Sequence, residues 1–257
     1  MKEPVVWASL PPTTAAADTS PQLSSTRTDT ACALQQLAEE IANDEIAHVD
    51  FFRTALGDAA VPCPQIDIGP AFAAAANAAT GMQLTPESDP YANDVSFLLA
   101  SFVFEDVGVT AFRGAVEPLI PLVEPSVLSA ASAVLGAEAY HAGAIRTLLR
   151  ELSLEGVAPS DGTYGDMPYG MGMQTPFGAV EDVVEAISDL RDAADGDGDL
   201  DQGIVDAEGR TNIVPTDANG LVYARTVEQV LPIVYLGPTP GGFLPEGVNG
   251  FFGPGSK

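Results

Sequence analysis

The sequence predicts an all-α fold finished by an irregular C-terminal wrap. Three observations carry this reading. Three long segments repeat apolar side chains at alternating spacings of three and four, the mark of one helical face. Strand-type alternation is scarce, and glycine, proline and short turns crowd the chain beyond residue 155.

The first 29 residues hold four prolines and a Ser/Thr-rich run with no helical period, and read as an irregular leader. From about Asp29 to Leu56, Leu34, Ala38, Ile41, Glu45, His48 and Phe52 fall on one helix face. Asp29 or Thr30 can cap its start and Gly57 can end it. A proline-rich connector over 57–89 carries a short alanine-rich helix near 70–80. A second long helix, about Asn93 to Arg113, aligns Leu98, Phe102, Glu105, Val109 and Phe112, and the prolines of "EPLIPLVEP" are expected to break it. A third, about Ser126 to Leu152, aligns Val127, Val134, Glu138, His141, Ile145 and Leu148. Beyond a glycine-methionine stretch at 165–178 the pattern gives shorter helices near 179–194 and 226–236. The organisation is thus a leader (1–29), a helical bundle (30–155) and a glycine- and proline-rich extension packing on it (156–257).

Charge excludes some classes of function. Thirty-six acidic against ten basic residues give a net charge of −26, the opposite of the cationic footprint that nucleic acids require. Anionic headgroups are disfavoured for the same reason. No uninterrupted apolar run reaches the ~18 residues of a membrane span; "VSFLLASFVF" is framed by Asp94 and Glu105. The N-terminus is a poor signal peptide, because its apolar part is short and Glu3 spoils the basic flank. Cys32 and Cys63 are expected to be separate thiols, since most of the chain between them is a rigid helix too long for a disulfide to span.

The chain contains only two histidines, and each follows a glutamate by three residues: Glu45 and His48 in "DEIAHV", Glu138 and His141 in "EAYHAG". At that spacing both side chains share a helix face, here a face otherwise apolar. Glu105 sits mid-stripe on a further helix. A buried carboxylate is costly unless it is paired or bound to a metal. Bundle-core di-iron and di-manganese sites resolve that cost with Glu-x-x-His from two helices and single glutamates from two others. One such motif is commonly a solvated pair, but its occurrence at both histidines exceeds ordinary motif noise. The simpler alternative is a set of glutamate–histidine hydrogen bonds in a polar core.

Several long stretches, among them "EEIANDEIAHVDFFRTALG", "DPYANDVSFLLASFVFEDVGVTAFRGA", "GAEAYHAGAIRTLL" and "NIVPTDANGLVYARTVEQVLPIVYLG", resemble the ferritin-like domain of plant, algal and bacterial desiccation-related proteins. The resemblance covers about residues 33–252. It implies a ferritin-like bundle, a role in desiccation or other stress, and metal ligands at Glu45, His48, Glu105, Glu138 and His141, with iron or manganese as the cation. Family members normally begin the bundle with a further glutamate-bearing helix, often after a secretory signal. Here the leader offers only Glu3, so the first bundle helix is expected to be missing. A second copy, a partner or another part of the chain would then cover the groove. Secretion or wall association follows from the resemblance alone.

Fold does not settle function, so three readings stay open. The leading one is a structural or protective stress protein with a degenerate metal site and no catalytic residues. The second is a di-metal carboxylate oxidase, ferroxidase or peroxide-disproportionating enzyme. The third is a calcium-stabilised extracellular binding protein using the acidic loop 195–208. There Asp197, Asp199, Asp201 and Glu208 fit positions 1, 3, 5 and 12 of a calcium loop, although Gln202 stands where its glycine belongs. A solvated acidic loop is the simpler expectation.

Overall fold

The structure, a computed structural model, describes residues 23–84, 88–120, 124–154, 174–175, 178–196 and 198–249. The described residues are predominantly helical, as the periodicity predicts. The chain divides into two units, Met1–Ala60 and Val61–Lys257.

The first unit is built on α1 (Leu23–Leu56), followed by a single 3-10 turn at Gly57–Ala59. Gly57 takes a positive φ of 54°, which ends the helix where the sequence placed its stop. Leu34, Ala38, Ile41, Glu45, His48 and Phe52 are all half-buried and form the expected stripe. The start differs from expectation. Helix begins at Leu23, inside the segment read as irregular leader. Ser, Thr and Asp have weak helical propensity because their side chains compete for backbone bonds, yet propensity yields to an established helix running into the segment. Residues 1–22, on which the reading of a missing first helix rests, lie outside the described residues.

The second unit holds α2 (Pro70–Thr80), α3 (Asp94–Leu119), α4 (Pro125–Leu154), α5 (Val180–Asp195) and α6 (Val227–Tyr235). A two-residue antiparallel pair, β1 (Gln174–Thr175) with β2 (Gly178–Ala179), precedes α5. The glycine-methionine stretch at 165–173 and the terminal residues 250–257 lie outside the described residues. Local chemistry explains the boundaries. Asp67 Oδ1 accepts from the N–H groups of Gly69 and Ala71, and Pro70 opens α2. Asn93 Oδ1 accepts from the Ser96 N–H at 2.9 Å and caps α3. Thr226 and Gln229 close a reciprocal capping box on α6.

α3 runs on to Leu119, past the expected break, with Pro118 in its last turn. There the missing N–H forfeits only one terminal bond, so the helix tolerates it. α3 is also long and apolar enough by length and composition to cross a bilayer. Here it is a core helix packed along α4, and it carries Glu105 and Asp106 on its inner side. Leu98 and Phe102 from α3, and Val134, Ile145 and Leu149 from α4, are buried. α5 covers this pair and also packs on α2 and α6. A smaller apolar cluster joins Phe72, Phe104 and Phe243 edge to face, with centroids 4.8–5.7 Å apart.

The irregular C-terminal segment is fastened to α3 through backbone. The Arg225 N–H donates to the Thr110 carbonyl at 2.9 Å. At Gly114, one turn on, a side chain would overlap the Arg225 carbonyl. Glycine is required there to let one backbone lie against another.

Candidate metal centre

Two neighbouring residues of α3 build two different polar sites. Glu105 turns toward α4, where Glu138 and His141 stand one turn apart. Each of the three offers a donor atom, and these atoms lie within 4.8 Å of one another. The His141 Nδ1 is 3.6 Å from Glu105 Oε2, and their side chains are only 7% and 12% exposed. Glu138 is buried as well. Gly108 shares the Glu105 face of α3, and a Cβ there would overlap the Glu138 carboxylate. The missing side chain makes the recess that holds this carboxylate.

In the first unit, α1 repeats the motif on its own. Glu45 Oε1 lies 3.4 Å from His48 Nδ1, across one helical turn, on the half-buried stripe. Within the second unit Glu105, Glu138 and His141 come together, and within α1 Glu45 and His48 lie one helical turn apart.

One buried and one half-buried carboxylate with a buried imidazole form a donor set of the kind that holds iron, manganese or zinc. The formal charge of the set is negative while His141 is neutral, so a divalent cation matches it electrostatically. Buried Val109, Val134 and Ile145, one helical turn from Glu105, Glu138 and His141, keep the local dielectric low and strengthen that attraction. The residues present fit a metal.

Asp106 turns the other way, into a site that sequence reasoning missed. Its Oδ2 accepts from Arg146 at 2.7 Å and from Arg191 at 3.3 Å. Arg146 also donates to the carbonyls of Gln202, Gly203 and Asn212, clasping the loop after α5 onto the helices. Arg191 donates to the Phe102 carbonyl and to Asp201, and its guanidinium lies 4.4 Å over the Phe102 ring. Arg225 reaches Asp195 at 2.6 Å, Asp201 at 2.9 Å and the Thr110 hydroxyl at 3.0 Å. Three arginines and three aspartates are thus paired in the interior. Burial pushes the Asp106 and Asp195 carboxyls up, while the arginines pull them down.

This finding changes the account of the acidic loop. Asp197 lies outside the described residues and Asp199 is exposed. Asp201, one of the loop's four expected calcium ligands, gives its two oxygens to Ser188, Arg191 and Arg225. Glu208 is exposed and accepts from Arg210 at 3.0 Å. The loop is therefore not simply solvated: Asp201 and the preceding Asp195 face inward onto arginine. The sequence carried one signal of this, in that Arg146 and Arg191 sit inside apolar helical periods. Cys63 is a free, exposed thiol.

The family model described as a ferritin-like domain matches residues 13–151, more than half of the chain, and spans both Glu-x-x-His motifs. The chain is similar to desiccation-related protein PCC13-62 of Craterostigma plantagineum, with 29% identity over 228 residues, 84% of this chain and 66% of that protein. It is also similar to ferritin-like catalase Nec2 of Nesocodon mauritianus, with 28% identity over 227 residues, again 84% of this chain and 66% of that protein. The chain therefore spans just under two thirds of the length of these curated relatives. No solved structure matches it.

Proposed function

The chain belongs to the ferritin-like domain family, and from that premise we propose that it is a desiccation-related protective protein whose helices hold one transition metal. The observation that carries the reading is the convergence of half-buried Glu105 with buried Glu138 and His141 beside the recess at Gly108. Glu45 and His48 complete the donor set in this proposal, on the strength of their shared spacing and of the family resemblance. Iron or manganese held there would supply one-electron redox chemistry toward oxygen or peroxide. The chain's own residues bind and orient the cation: carboxylates offset its charge, imidazole supplies nitrogen donors, and the apolar walls keep bulk water out.

The name of the catalase relative favours a second reading, in which the same residues serve peroxide disproportionation. Metal analysis of the purified, iron- or manganese-reconstituted chain separates the two, read beside oxygen evolution from peroxide. The protective reading expects at most one tightly held metal per chain and slow or absent turnover. Two metals per chain with rapid turnover would replace it with the enzyme. His48→Ala and His141→Ala are expected to lower occupancy, and Asp199→Ala to leave it unchanged. Gly108→Ala is expected to lower it too, because its methyl displaces the Glu138 carboxylate. No metal bound under anaerobic reconstitution would leave only a polar core.

A further inference from the structure

The irregular segment that leads to Arg225 makes a turn at 217–221, in which Ala218, Asn219, Gly220 and Leu221 are exposed. It contains an asparagine followed by a glycine. Asparagine is thermolabile, and most so in this pairing, because glycine leaves its own nitrogen unobstructed. The Gly220 nitrogen can attack Cγ of Asn219, forming a C–N bond that closes a five-membered imide. The Cγ–Nδ2 bond breaks, and ammonia leaves with the proton of the Gly220 N–H. Water then opens the imide on either side, giving aspartate or its β-linked isomer. Nothing is oxidised or reduced, and water is the only co-reactant.

One residue holds both reacting groups. The nucleophile, the Gly220 N–H, donates to the Asp217 carbonyl at 3.0 Å. The leaving group, the Asn219 side-chain amide, donates to Asp217 Oδ2 at 3.3 Å. Asp217 Oδ1 also accepts from the N–H groups of Asn219 at 2.8 Å and Leu221 at 2.9 Å. The Asp217 N–H closes the turn by donating to the Leu221 carbonyl at 2.9 Å. Gly220 takes a φ of 73°, which glycine adopts without steric cost. The N–H groups of Leu221 and Asn219 hold the Asp217 carboxyl below its ordinary range, so it stays a charged acceptor at neutral pH.

We propose that Asn219 is a self-modification site gated by Asp217, at which the imide closes only when this turn opens. The product works against reclosure. A carboxylate at 219 faces the Asp217 carboxylate where an amide donor stood, and the β-linked isomer adds a methylene to the backbone of the turn. The site is separate from the metal centre and does not rest on the proposed function.

Peptide mass mapping of the full chain held at mildly alkaline pH, beside a synthetic peptide of residues 214–224, tests this. Conversion at Asn219 is expected to be at least about tenfold slower in the folded chain, since opening must precede reaction. Asp217→Ala removes the acceptor of three of these hydrogen bonds and is expected to speed conversion at least about threefold in a chain that remains folded. Asp217→Asn keeps one acceptor oxygen, is expected to fall between the two, and serves should the alanine variant fold poorly. Equal rates in chain and peptide would overturn the gate. So would an unchanged rate in the folded Asp217 variants. A peptide that converts at no measurable rate would overturn the site itself.

Discussion

Glu105 and Asp106 are consecutive on α3, about 100° apart around its axis, and they enter two polar interiors built on different principles. Asp106 meets Arg146 and Arg191, within an interior cluster where three arginines face three buried aspartates. Glu105 meets Glu138 and His141, a set dominated by acids. The first site is balanced by side chains of the fold itself. The second has donors in the right place for a cation to supply the missing charge. The difference teaches that burial of charge does not by itself mark function; the sign left over does.

The largest expected effect follows from unbalancing the matched site. Arg146→Met leaves Asp106 buried beside one arginine and frees three loop carbonyls from their donor. Removing one partner of such a group costs about 3–5 kcal/mol, so urea unfolding is expected to show a loss of that order. Chelators should not alter the loss, since no metal is involved. A loss under ~1 kcal/mol would mean that the arginine cluster is not what holds the loop.

The acid-rich site should respond in the opposite sense. Glu138→Gln removes the buried one of two neighbouring acids, so stability without metal is expected to hold or rise. What should disappear is the gain on adding metal, about 2.7 kcal/mol for the wild-type chain at a hundredfold excess over Kd. A variant that loses stability without metal and keeps the metal-linked gain would erase the contrast between the sites.

The smallest effect concerns pH at the edge of the matched site. Asp192 lies 3.8 Å from Arg225, and its carboxyl is pushed up to about 6. Burial is the main cause; the Leu200 N–H opposes it, and the charges of Asp201, Asp195 and Asp199 add to it. Since the folded value lies above the ordinary 3.8, the native state binds a proton that the unfolded chain releases in that window. Its stabilising contribution is therefore full below the unfolded value and is lost as pH rises through about 6. Asp192→Asn should flatten this part of the stability profile, measured as the difference in urea midpoint between variant and wild type from about pH 4 to 7. An unchanged slope would place that titration elsewhere.

Much of the helical layout was legible because it is written locally. α2 matches its expected span, and α5 and α6 depart from theirs by about one residue, since Pro70, the Thr226–Gln229 box and the apolar periods all act within a few positions. The start of α1 was misplaced because Ser and Thr obscure a helix that continues through them. The trio of Glu105, Glu138 and His141 was legible because acids and histidine interrupt apolar stripes. The arginine cluster was not, because its partners are brought together over 40 residues for Asp106 with Arg146 and 115 for Thr110 with Arg225. Gly108 was also missed: a glycine within a helix shows nothing of the carboxylate that occupies its space.

The backbone bond from Arg225 to Thr110 has a consequence for exchange with solvent. Arg225 belongs to an irregular segment, where amide protons ordinarily swap with deuterium within seconds to minutes. Its own amide is held by a helix carbonyl, under a side chain that is 1% exposed and tied to Asp195 and Asp201. Releasing that proton requires the segment to lift from α3 and the guanidinium to leave both aspartates, so its opening free energy belongs with those of the core helices. In this molecule slow exchange is not confined to regular secondary structure, and a loop residue becomes a reporter of cooperative unfolding.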